Sequence, residues 1–380
     1  MTKEDRMRLT RSFIALLITL WMALAIAGSA AASVAPAKPL IQVAVLLDTS
    51  NSMDGLIDQA RTQLWRVVNE LATAKKNGIR PDLRVALYEY GNDGLKAPHI
   101  RRVLALTPDL DKVSEELFAL RTNGGNEYCG QVIDAATKDL GWSASNADLK
   151  LIFIAGNEPF TQGSVDFHAA CRRAIAKGIV VNTIFCGPKD EGVRTNWKEG
   201  AELADGRYLA IDQNTQVAEI AAPQDTEIAA LGTKLNETYI GYGHAGAAGK
   251  GRQAAQDANM APKATANVQR QVAKASAMYT NASWDIVDAV NEGTIDLDKV
   301  NAKDLPPEMQ KMTPAQRKAY VADAQKKRGE LQTKIRKLDE DRRKYVAQKL
   351  KETPPKANTL DAAVISAVRD SGTKKGYKFD

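Results

Sequence analysis

The sequence predicts an α/β protein, a doubly wound and mostly parallel sheet followed by an α-helical, partly coiled-coil-like tail. Short continuous apolar runs at 41–47 and 149–155 have the pattern of strands buried on both faces. Stretches with apolar residues at helical spacing alternate with such runs, the order of a parallel sheet covered by helices on both sides. Beyond residue 241 the remaining segments read as helices.

Lys3, Arg6, Arg8 and Arg11 precede the uncharged run 13–27, and small residues follow at 28–33. A basic start, an apolar centre and an Ala-rich exit make residues 1–32 a secretory signal, cut after Ala30 or Ala32; the other reading is a retained membrane anchor. Either way the body is expected outside the cytoplasm, periplasmic or secreted, touching membrane only through this segment.

The first strand, 41–47, stops at Asp48. Residues 53–74 then place Leu56, Ile57, Ala60, Leu64, Val67, Val68 and Leu71 on one helical stripe, closed by Gly78 and Pro81. Strands at 83–90 and 100–106, a helix at 113–120, the loop 122–127 and a helix at 130–140 follow. The strand 149–155, a helix at 166–177, a strand at 179–185, a helix at 197–204, a strand at 207–211 and a helix at 217–231 complete a domain over 40–235.

A Gly/Ala/Gln-rich linker is expected at 241–262 and a helical tail at 263–380. In the tail, residues 268–290 read as helical and Pro306-Pro307 breaks the chain. Thr313-Pro314 then starts a long helix reaching about residue 352. Val321, Ala324, Leu331, Ile335, Leu338 and Tyr345 follow a heptad-like spacing interrupted by Arg328 and Arg342. That narrow stripe packs either on a neighbouring helix of the same chain or, by self-association into a homo-oligomer or with a partner, in a coiled coil. Pro354-Pro355 ends the helix, and 360–369 reads as a last short one.

Composition narrows the function. With 44% hydrophobic and 26% charged residues the chain is neither disordered nor a polytopic membrane protein. The net charge of +6 divides unevenly, with residues 40–240 acidic and 241–380 basic. Lysines mixed with Asp and Glu make that basic half a solvated surface, and no nucleic acid is expected. The three cysteines allow at most one bridge, Cys129 to Cys171; the other reading is three buried thiols. His99, His168 and His244 lack zinc spacing, and residues 243–251 lack the glycine and hydroxyl of a phosphate loop.

In open α/β sheets ligands bind beyond the carboxyl ends of the strands. The first such loop reads Asp48-Thr49-Ser50-Asn51-Ser52. One carboxylate and two hydroxyls at alternate positions can converge where the chain turns out of the sheet, and hard oxygen ligands suit Mg²⁺ or Mn²⁺. Alternatively the serines cap the following helix.

Asp48-x-Ser50-x-Ser52 after an apolar strand, the Gly124-Gly125 loop and the apolar strand ending near Gly156 resemble the von Willebrand factor A family over about 40–235. The resemblance implies the doubly wound fold, binding rather than catalysis, and a metal-ion-dependent adhesion site with an open position for a partner's acidic group. Asp48, Ser50 and Ser52 match its first motif. The family's second-loop Thr is replaced here by Asn126, and its third-loop Asp by Gly156 or Asn157. The expected ligand set is therefore Asp48, Ser50, Ser52, Asn126 and Glu158, for a protein partner offering an acidic residue. The alternatives are a metal-free scaffold binding through its tail and an accessory subunit of an enzyme complex.

Overall fold

Residues 38–214, 220–352 and 359–379 are described by the structure, a computed structural model. The proposed secretory signal at 1–32 lies outside the described residues. Among those described, no helix is long and apolar enough to cross a membrane.

In chain order the elements are β1 (Leu40–Asp48), α1 (Asp54–Leu71), β2 (Lys75–Lys76), β3 (Asp82–Tyr90), β4 (Ile100–Thr107), α2 (Leu110–Ala119), α3 (Cys129–Asp139), β5 (Leu149–Gly156), α4 (Phe167–Ala176), β6 (Ile179–Cys186), α5 (Lys189–Arg194), α6 (Trp197–Glu202) and β7 (Tyr208–Ile211). There follow α7 (Asp225–Asn236), α8 (Gly246–Met260), α9 (Ala264–Lys274), α10 (Ile286–Asn291), α11 (Pro307–Gln310), α12 (Pro314–Glu352), α13 (Leu360–Lys374) and β8 (Tyr377–Lys378). The main sheet has the order β4-β3-β1-β5-β6-β7, with β4 antiparallel at one edge and the other pairings parallel.

Side chains on a strand alternate between faces, so a strand buried on both sides reads as an unbroken apolar run. Val43, Leu47, Val85, Leu87, Leu151 and Phe153 pack on one face with α1 and α2. Ala44, Leu46, Ala86, Tyr88, Ile152 and Ile154 pack on the other with α3 and α4. β1 lies at the centre of this sandwich, which puts its carboxyl end where neighbouring loops converge.

Residues 241–262, expected as a linker, carry α8, and residues from Lys38 onward form one compact unit. Gly249 serves close packing, not flexibility: a Cβ there would fall 2.2 Å from Cγ of Trp284. The glutamines are buried and bonded, Gln253 donating to Tyr279 Oη at 3.0 Å and Gln256 accepting from Ser114 Oγ of α2 at 2.8 Å.

The helix expected over 268–290 is two, α9 and α10. The long helix begins as read, with a capping box in which Gln316 N donates to Thr313 Oγ1 and Thr313 N to Gln316 Oε1. Arg328 and Arg342 are not interruptions of its stripe. With Val321 and Ile335 they are its buried residues at seven-residue steps. Arg328 donates to Asp285 and Asp288 at 2.7 Å and lies over the Tyr239 ring, and Arg342 donates to Asp225 at 2.7 Å. The stripe is thus packed against its own chain, chiefly on α7.

The C-terminal segment returns to the sheet. Helix α13 packs on α1 and on β5, β6 and β7, and β8 pairs antiparallel with β2. Two amides at its start donate to α1: Leu360 N to Gln59 Oε1 at 3.0 Å and Asp361 N to Gln63 Oε1 at 2.7 Å. They are among the helix-end donors that otherwise lack partners.

Candidate functional site

Three loops meet at the carboxyl end of β1. The strand delivers Asp48 opposite Tyr90 of β3, fully buried, and the chain turns through a short 3-10 segment, Asn51–Met53, into α1. Asp48 Oδ1 accepts from Ser50 N at 2.7 Å, while Asp48 Oδ2 is buried and has no hydrogen-bond partner. The Ser50 and Ser52 hydroxyls share a hydrogen bond of 3.1 Å. Neither side chain caps the following turn or helix, so the capping alternative does not account for them.

The second loop is tied down by Asn123 N donating to Thr49 O at 2.9 Å and Asp93 N to Gly124 O at 2.6 Å. It does not deliver Asn126, which is exposed. The buried residue is its neighbour Glu127, 2% exposed, whose Oε2 accepts from Glu158 N at 3.3 Å. Glu127 stands close enough to Asp48 and Ser50 to hydrogen-bond with both. Gly91 explains how they fit. Its φ is +76°, and a Cβ there would lie 2.7 Å from Asp48 Oδ1 and 2.8 Å from Glu127 Cγ.

In the third loop Asn157, rather than Glu158, joins the cluster, its Nδ2 donating to Ser52 Oγ at 3.2 Å. The exposed Glu158 side chain accepts from Gln162 at 3.1 Å, and its carbonyl accepts from Trp197 Nε1 at 2.8 Å. Glu158 therefore contributes only its backbone. Of the five expected ligands the structure gathers Asp48, Ser50 and Ser52; Glu127 and Asn157, rather than Asn126 and the Glu158 side chain, stand beside them. The sequence reading missed Glu127, whose only signal was being the one carboxylate in the glycine-rich loop; Gly91 carried a weaker one, a glycine directly at the end of β3.

Burial pushes the Asp48 carboxyl well above the usual carboxylate range, reinforced by the hydrogen bond to Glu127 and its charge and opposed by the Ser50 bonds. Burial raises Glu127 as well, against hydrogen bonds with Asp48 and Ser50 that lower it. Among the described residues no three His, Cys, Asp or Glu side chains gather as a metal cluster. The donors here are the Asp48–Glu127 pair with hydroxyl and amide oxygens, a set that fits a hard cation better than zinc.

The expected Cys129–Cys171 bridge is not formed. Cys129, Cys171 and Cys186 are free and buried, the first two in the apolar layer between α3, α4 and the sheet. Burial raises all three thiols, as expected for small apolar core residues.

The sequence profile of the von Willebrand factor type A domain matches residues 42–232, from the first strand to α7. The chain belongs to the von Willebrand factor type A (vWA) domain family. vWA domains serve mostly as non-enzymatic adhesion and protein-interaction modules. The curated proteins contain no match to the sequence.

Among solved structures the chain is similar to the conserved hypothetical protein BatB from Bacteroides thetaiotaomicron, at 17% identity and a TM-score of 0.36, covering 45% of this chain and 90% of that one. It is similar to an aerotolerance-related membrane protein from Bacteroides fragilis, at 18% identity and a TM-score of 0.33, covering 45% and 92%. Proximal thread matrix protein 1 of the mussel byssus, solved with zinc in its metal-ion-dependent adhesion motif, is 10% identical with a TM-score of 0.33, over 46% of this chain and 42% of that one.

Proposed function

We propose that the chain is an extracytoplasmic protein-binding module, an adhesion or scaffold domain rather than an enzyme. In this reading Asp48, Ser50 and Ser52 hold Mg²⁺ or Mn²⁺, and the ion takes an acidic side chain from a partner protein. The observation that carries it is Asp48 Oδ2, a buried carboxylate oxygen without a hydrogen-bond partner, at the head of a loop whose Ser50 and Ser52 hydroxyls lie 3.1 Å apart. Leaving a buried polar atom unpaired costs about 1–3 kcal/mol, more for a charged one, and a bound cation removes that cost. Bound there, the ion would supply Lewis-acid charge; Asp48, Ser50 and Ser52 would hold it, and a partner carboxylate or water would complete its oxygen ligands.

The sequence pattern at 1–32 supports export. Basic residues of 241–380 pair with acids of 40–240, as Arg270 does with Asp111 at 2.6 Å and Arg252 with Asp109 at 2.9 Å, which reduces the charge free to attract nucleic acid. A second reading is a metal-free scaffold, favoured by the contact between Asp48 and Glu127, which one shared proton would satisfy. Capture from envelope extract on the full chain separates the two. A partner held in Mg²⁺, released by EDTA and not retained by Asp48→Ala, is the expected result. A partner retained equally in EDTA and by the variant contradicts it.

A further inference from the structure

We propose that Glu127 is the second protein carboxylate on the cation at Asp48, supplied by the 122–127 loop because the 156–158 loop cannot supply one. The proposal rests on the reading above that Asp48, Ser50 and Ser52 hold a divalent cation.

Glu127 and Asp48 are both buried, and among the described residues neither forms an ion pair with a Lys, Arg or His. Arg101 is paired with Glu89, and His99 Nδ1 lies 3.9 Å from Asp93. Two carboxylates in contact away from water cannot both carry charge without a counter-charge, and Asp48 Oδ2 is left with no hydrogen-bond partner.

Gly91 lets the two side chains stand together: a Cβ there would lie 2.7 Å from Asp48 Oδ1 and 2.8 Å from Glu127 Cγ, which brings the Glu127 carboxyl beside that of Asp48. The backbone amide of Glu158, donating to Glu127 Oε2 at 3.3 Å, orients the second carboxylate. The third loop has no room for its own. A Cβ on Gly156 would lie 2.5 Å from Tyr90 Oη and 3.1 Å from Asp48 Oδ2, Asn157 is neutral, and Glu158 turns to Gln162.

Electron paramagnetic resonance of free Mn²⁺, titrated into the full chain as wild type, Asp48→Asn and Glu127→Gln, tests this, with a urea midpoint for each as a check on folding. Glu127→Gln should bind Mn²⁺ at least tenfold more weakly than wild type. Unchanged affinity in Glu127→Gln, with binding lost in Asp48→Asn, overturns the role of Glu127 and leaves the cation reading standing. No binding by folded wild type overturns both, and Asp48 and Glu127 then share a proton. If Glu127→Gln does not fold, the infrared difference spectrum of ¹³C-glutamate-labelled wild type on adding Mg²⁺ decides. A shifted labelled carboxylate band is expected, and an unshifted band, with Mn²⁺ still bound, overturns the proposal.

Discussion

At Gly91 the backbone turns with φ at +76°, and the space a side chain would fill is taken by Asp48 and Glu127. Gly91→Ala therefore combines an unfavourable left-handed conformation with a collision, an expected loss of about 2 kcal/mol or more in urea unfolding. Cation binding should fall with it, because the two carboxylates must separate. Asp48, Ser50 and Ser52 were legible in the sequence because they are contiguous and follow a strand whose burial is itself legible. Which of Asn126 or Glu127 faces the notch was not. That depends on the path through Gly124 and Gly125, where a Cβ on Gly125 would lie 2.6 Å from Gly91 O, a contact between loops distant in sequence.

Helix α8 shows why composition misled at the scale of an element. Gly-, Ala- and Gln-rich sequence describes a flexible linker and also a helix packed very closely against an aromatic ring, and only the presence of Trp284 decides between them. The two descriptions predict opposite signs for Gly249→Ala. In an open helix or linker alanine would stabilise by roughly 0.5–1 kcal/mol. Against Trp284 it should destabilise by about 1–3 kcal/mol, read from the shift in urea midpoint at constant slope.

Helix α12 is likewise fixed by charges that its heptad pattern treats as breaks. Arg328 joins α12 to Asp285 and Asp288, and burial, with the charge of Asp285, pushes the Asp288 carboxyl up from its ordinary 3.8 to about 6 despite that arginine. Between about pH 4 and pH 6 the folded chain therefore binds more protons at Asp288 than the unfolded chain does. This group's contribution to stability is fully present below that window and is lost as pH rises through it. Unfolding midpoints measured across the window should show this decline in wild type and a shallower one in Asp288→Asn.

Over the whole molecule the acidic body and the basic remainder are partners of one another. Arg252, Arg270, Arg342 and Arg369 reach Asp109, Asp111, Asp225 and Glu70. The strand and helix order of the vWA sandwich was legible because each strand declares its burial locally. The return of α13 to the sheet was not, since it depends on α1 glutamines some 300 positions away accepting from its first amides. The resulting unit holds the Asp48 loop at the end of a sheet braced on both faces, the position at which we propose a cation binds.

Isothermal titration of Mg²⁺ and Mn²⁺ into the full chain, beside Asp48→Ala, tests that claim most directly. A saturable heat with one ion per chain in wild type, absent from the folded variant, is the predicted result. Equal and negligible heats from both would contradict it.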